Sequence, residues 1–162
     1  MVLMRLGSGL AAVLLAILLV HVSAVSAQTV VGDSIAESLS HSAGDPLRGR
    51  AIIVNRQQGL CLLCHNGPFP EERFQGNLAP ELGVSVGSLS AGQLRARLVD
   101  PKHFHPDTIM PSFYRTEGLT RVAAKFSGKP ILSAQEIEDV IAFLLTMNQT
   151  NSSAAVITTT AP

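Results

Sequence analysis

The chain of 162 residues holds two cysteines, three positions apart and followed directly by a histidine, as Cys61-Leu62-Leu63-Cys64-His65. A helical turn with this spacing presents both thiols to one edge of a flat macrocycle and points an imidazole at its centre. That is the C-x-x-C-H pattern of covalent c-type haem attachment, with Cys61 and Cys64 as thioether donors and His65 as an axial iron ligand. Two other chemistries use the same residues. A thiol–disulfide couple also takes C-x-x-C, but it belongs with an alternating strand and helix pattern that this sequence lacks. A structural zinc would need a fourth ligand beside Cys61, Cys64 and His65, and His103 or His105 would have to supply it. A disulfide between residues so close closes too small a loop to stabilise a domain much, so the pair is chemical rather than structural.

A second axial ligand has to come from elsewhere, and the candidates are Met110, Met147, His103, His105 and His41. Met110 stands in Asp107-Thr108-Ile109-Met110-Pro111-Ser112-Phe113, where the proline stops a helix from running through and holds the backbone as a loop. Met147 ends an amphipathic stretch, a place where methionine commonly fills a core. His103 and His105 flank Phe104 in a polar, proline-bounded loop. Met110 is the leading candidate, because methionine with histidine is the arrangement of electron-transfer haems. A loop histidine would give a lower-potential site, and an open position would instead point to gas binding or peroxidase chemistry.

Three helices must position these groups. Asp45 followed by Pro46 is an N-cap with proline at the first helical position. Leu47, Ala51 and Val54 then recur at helical spacing, so this helix is expected to run to about Arg56, with those residues inward, and to deliver the chain to Cys61. Ser90 with Gln93 forms a capping box for a helix through Leu94 and Leu98 that stops before Pro101. Ser133 with Glu136 forms another, and Glu138 and Asp139 add negative charge suited to the start of a helix. Ile137, Val140, Ile141, Leu144 and Leu145 mark the apolar face of that last helix. The Gly- and Pro-rich stretch between Cys64 and Ser90 reads as loop.

Residues 1–27 carry one cation, Arg5, then an apolar run from Leu10 to Val20, then small residues, the order of a secretory signal cut after Ala27 or Ala24. The strongly apolar part falls short of the roughly 18 residues of a spanning helix, so no membrane span is expected once the signal is removed. Removal takes away Arg5 as the only charged residue and leaves a nearly neutral protein, which gives no reason to expect nucleic acid or anionic lipid as a partner. Residues 28–44 form an N-terminal extension, 45–148 one domain, and the Thr-, Ser- and Ala-rich 149–162 a disordered tail. The chain has no Trp, one Tyr and six Phe, a core poor in aromatic volume that a large apolar prosthetic group would help to fill.

An N-terminal helix leading into C-x-x-C-H, a Met-Pro loop and a C-terminal amphipathic helix is the order seen in class I cytochromes c, an all-α fold packed around one haem. Three stretches narrow the likeness. PEERFQGNLAPEL from Pro70 to Leu82, LVDPKHFHPDTIMPSFYRTEGL from Leu98 to Leu119 and GKPILSAQEIEDVIAFL from Gly128 to Leu144 resemble SoxX, the small cytochrome subunit of the bacterial sulfur-oxidation system. The resemblance covers about residues 45–147. It implies one covalent haem c and a periplasmic location. The implied partner is SoxA, a second haem protein, and the pair oxidatively joins thiosulfate to a cysteine of the SoxYZ carrier. The sulfur chemistry would lie on the partner, so the present chain would contribute no catalytic residue and would pass electrons to a downstream acceptor. Pro80 matches the proline whose carbonyl accepts a hydrogen bond from the proximal imidazole, here His65, while Ala79 replaces the glycine usual before it. The alternatives that stay open are a monomeric electron shuttle and, from another class, a haem enzyme with an exchangeable sixth ligand.

Overall fold

Asp45 turns the chain into its first helix, α1 (Pro46–Val54), by accepting hydrogen bonds from the amides of Leu47 and Arg48, with Pro46 at the first helical position. The computed structural model describes residues 29–158, with side chains as far as Met147. A single turn of 3-10 helix at Cys61–Leu63 follows α1. Then come α2 (Leu82–Val86), α3 (Ala91–Val99) and α4 (Ala134–Thr158), with two further 3-10 turns at Pro101–His103 and Ala124–Phe126. No strand forms among the described residues beyond an isolated bridge between Val31 and Ser34. Both capping boxes form. Ser90 Oγ accepts from Gln93 N while Gln93 Oε1 accepts from Ser90 N, and Ser133 with Glu136 repeats the exchange ahead of α4.

The tightest contact of the fold is α1 against α4, and Gly49 permits it. A Cβ at Gly49 would fall inside the van der Waals envelope of the Asp139 carbonyl, so the two backbones touch where any side chain would part them. This contact also sets which face of α1 is buried. Gly49, Ile52 and Ile53 face inward, whereas Leu47 is 79% exposed, Ala51 is exposed and Val54 is half-buried. The face expected from Leu47, Ala51 and Val54 is therefore the wrong one. An apolar count ignores glycine, yet glycine makes the closest approach.

Glu138 and Asp139 also differ from expectation. They are buried ion-pair partners, a role beyond the helix-start charge expected of them. Arg95 of α3 holds Glu138 through two bonds, Nε to Oε1 at 2.7 Å and Nη2 to Oε2 at 2.8 Å. Its Nη1 donates to the Ile35 carbonyl at 2.6 Å, and Glu138 accepts from the Leu39 amide at 2.9 Å. One ion pair thus joins α3, α4 and the N-terminal segment, whose Ile35 is buried with Ala96 and Val99. Burial works to raise the Glu138 carboxyl, but Arg95 and the Leu39 amide outweigh it and hold the group below its ordinary value. Asp139 is lowered in the same way, by Arg48, the Asp45 amide and Gln135 against burial.

Helix α4 runs to Thr158, past residue 148 where a disordered tail was expected to begin. No glycine or proline stands between Ala134 and Thr158 to stop it, and extending a formed helix costs far less than starting one. Residues 1–28, which include the expected secretory signal, and residues 159–162 lie outside the described residues. No described helix is long and apolar enough to cross a membrane.

Candidate functional site: a thiol-rimmed apolar cavity

The chain enters the site through Leu60, whose φ of 61° is left-handed, a conformation that costs a residue with a Cβ about 1–2 kcal/mol. The strain sits directly ahead of the 3-10 turn that carries Cys61. Within that turn the amides of Cys64 and His65 both donate to the Cys61 carbonyl, at 3.2 and 2.9 Å, which winds Cys61, Cys64 and His65 around one turn. The following loop is tied back beneath it. Gly76 N donates to Leu62 O at 2.9 Å and Ala79 N to Cys64 O at 3.0 Å. A Cβ at Gly76 would collide with the backbone of Leu63 and Cys64, so the loop lies close against the turn.

His65 is oriented by Pro80. Its Nδ1 lies 2.6 Å from the Pro80 carbonyl oxygen. A carbonyl only accepts, so Nδ1 carries the proton and the Nε2 lone pair is left for a metal. The stretch expected as loop contains helix α2, capped by Glu81, which accepts from the amides of Gly83 and Val84. This helix adds Leu82, Ser85 and Val86 to the wall of the site. Its five residues are too few to show a period, and glutamate is not among the residue types that mark a helix start, so nothing local announced it.

Cys61, Cys64, His65, Pro80 and Met110 all line one cavity of about 500 Å³, within the range of cofactor sites. Its other walls are mainly aliphatic and come from α1, α2, α3, α4 and the Met110 loop, including Ile53, Leu94, Leu98, Val140 and Leu144. Met110 is held there by its own loop, where its amide donates to Thr108 Oγ1 at 3.2 Å. The loop is pinned to α3 because Phe113 N donates to Leu98 O at 2.9 Å.

The other ligand candidates lie elsewhere. Met147 is buried in the core and does not line the cavity. His41 and His105 are exposed, and His103 makes a 3.0 Å bond through Nε2 to the Gly32 carbonyl. Among the described residues no three His, Cys, Asp or Glu side chains converge as a metal cluster, so the donors for a structural zinc are not assembled. Neither cysteine is disulfide-bonded. Burial pushes the Cys61 thiol up to about 12, and the neighbouring Cys64 adds to the rise. Such a thiol supplies little thiolate near neutral pH.

The residues present fit a haem. Two thiols and an imidazole share one turn, a thioether sulfur stands on another wall, and an apolar space joins them. No protein-family model and no curated protein matches the chain. Among solved structures it is similar to the crystal structure of SoxXA from P. pantotrophus, with 35% identity and a TM-score of 0.66, over 74% of this chain and 93% of that one.

Proposed function

The chain belongs to the SoxX family, and from that premise we propose that it is the electron-accepting haem c subunit of a thiosulfate-oxidising complex. Cys61 and Cys64 would form the thioethers to a haem, and His65 and Met110 would ligate its iron. Bound haem supplies a one-electron acceptor. The protein's own part is to hold it: Pro80 fixes the His65 ring, the 3-10 turn sets the thiols, and the aliphatic wall keeps water away. A methionine opposite a histidine raises the reduction potential and so suits an acceptor. The single observation that carries this reading is the shared cavity, where a thiol pair, an oriented imidazole and a thioether sulfur meet although Met110 is remote from Cys61 in sequence.

The partner is a SoxA-like haem protein in a periplasmic heterodimer, which oxidatively couples thiosulfate to a cysteine of a SoxYZ-like carrier. Both cysteines of this chain are taken by thioethers, which leaves it no nucleophilic thiol for sulfur transfer. The haem-loaded chain alone should therefore show no thiosulfate-dependent turnover. With thiosulfate, the partner and the carrier added, its haem should become reduced, taking the two electrons of the coupling one at a time and passing each on to a downstream acceptor. Met110→Ala should abolish the near-infrared methionine-to-iron band and slow that electron removal without preventing assembly. Turnover by the chain alone would overturn the subunit reading. Persistence of the band in Met110→Ala would move the sixth ligand to another residue.

A further inference from the structure

The cavity wall is nearly devoid of charge. Among its lining residues Arg97 alone carries a fixed charge, and no lining residue is an aspartate or glutamate. Haem is not wholly apolar, because it bears two carboxylates on the edge opposite the vinyl groups that react with the thiols. An ionised carboxylate brought into an apolar pocket without a partner loses hydration that nothing replaces, whereas a guanidinium meets it with parallel N–H donors. Arg97 occupies α3 between Leu94 and Leu98, both of which also line the cavity. It comes from a wall other than the thiol turn, as the chemistry of the opposite edge demands.

Two contacts hold the guanidinium in place. It lies over the Phe104 ring, 4.5 Å from the centroid, and Nη1 donates to the Gln93 carbonyl at 3.0 Å. No carboxylate of the described chain pairs with it; Arg48, Arg50, Arg95 and Arg115 have such partners, and of the described arginines without one (Arg56, Arg73, Arg97 and Arg121) only Arg97 lines the cavity. A stacked, half-buried arginine on an apolar wall, without an anion of its own, is a site made for one. We propose that Arg97 anchors a haem propionate, pairing with one of the two carboxylates of the bound haem and so fixing the tilt of the ring between His65 and Met110. Arg97 is a positioning residue, and the assignment rests on the haem reading above.

The test uses haem-loaded protein carrying Arg97, Arg97→Lys or Arg97→Gln, with covalent haem verified by the pyridine haemochrome spectrum. Resonance Raman then reads the propionate bending band, which follows hydrogen bonding to the carboxylate. The band should shift to lower frequency in Arg97→Gln and lie between the two in Arg97→Lys, since lysine keeps the charge but not the fork. Covalent haem in all three proteins with an unmoved band would overturn the anchor while leaving the haem reading intact. A parent protein without covalent haem would overturn both. If Arg97→Gln does not fold, Arg97→Lys decides by the same band, which has to move for the proposal to stand.

Discussion

Where α1 crosses α4, protein satisfies protein: Gly49 brings backbone against backbone, Arg95 and Glu138 neutralise each other in the interior, and Arg48 holds Asp139. On the cavity side about 500 Å³ is left for something other than side chains, and its donors sit on turns and loops rather than in helices. The first region is complete as built, and the second is, on the proposed reading, shaped for a cofactor. A frame that closes on itself can hold loop-borne ligands still, while ligands on loops can be set at angles that no single helix would allow.

The largest effect should come from denying the second region its filling. Without a bound group, the aliphatic wall of the roughly 500 Å³ pocket faces water, and the burial that would join Ile53, Leu94, Leu98, Val140 and Leu144 around a common apolar mass is missing. Replacing Cys61 and Cys64 by Ala, with haem maturation proteins present, should therefore yield unfolded or degraded chain by circular dichroism and recovery. A helical apo-protein in normal yield would show that the frame stands without its cofactor, and the contrast between the regions would fail.

Breaking the frame itself ranks next. Glu138→Ala strands the buried Arg95 charge and should cost about 3–5 kcal/mol in denaturant unfolding of the haem-loaded protein. Joint replacement, Glu138→Leu with Arg95→Met, should recover most of that, because neither charge is then left alone. The pH dependence follows from the lowered Glu138 carboxyl. A folded value below the ordinary 4.5 means that its contribution is complete above about pH 4.5 and is lost as pH falls through the depressed value. Glu138→Gln should flatten that acid limb. An unchanged limb would assign the acid sensitivity to Asp139.

Gly49→Ala should destabilise by about 1–3 kcal/mol through forced separation of the helices, although alanine gains about 1 kcal/mol in helix propensity. A stabilised variant would mean that α1 and α4 are not held together there. The smallest change separates the two faces of α1. Leu47→Ser should stay within about 0.5 kcal/mol of the parent, since Leu47 is exposed. Ile53→Ala, by contrast, should cost about 2–5 kcal/mol.

Local signals were legible in the sequence wherever a short stretch decides the outcome. Asp45 with Pro46, Ser90 with Gln93 and Ser133 with Glu136 each cap a helix from within four residues, and all three do so in the fold. The thiol turn is equally local, because Cys61, Cys64 and His65 are placed by hydrogen bonds to the Cys61 carbonyl. The pairing of Pro80 with His65 was expected through resemblance, and His65 Nδ1 lies 2.6 Å from the Pro80 carbonyl oxygen.

Contacts between remote segments were decided only by the tertiary structure. The inward face of α1 depends on Gly49 meeting Asp139, the roles of Glu138 and Asp139 depend on arginines of other helices, and only the fold shows that Met110 borders the cavity while Met147, His41, His103 and His105 do not. Capping and turn geometry are short-range, so the residue types spell them out. Burial and ion pairing are properties of which surfaces come together, and a glycine or an arginine carries no sign in the sequence of the surface it will meet.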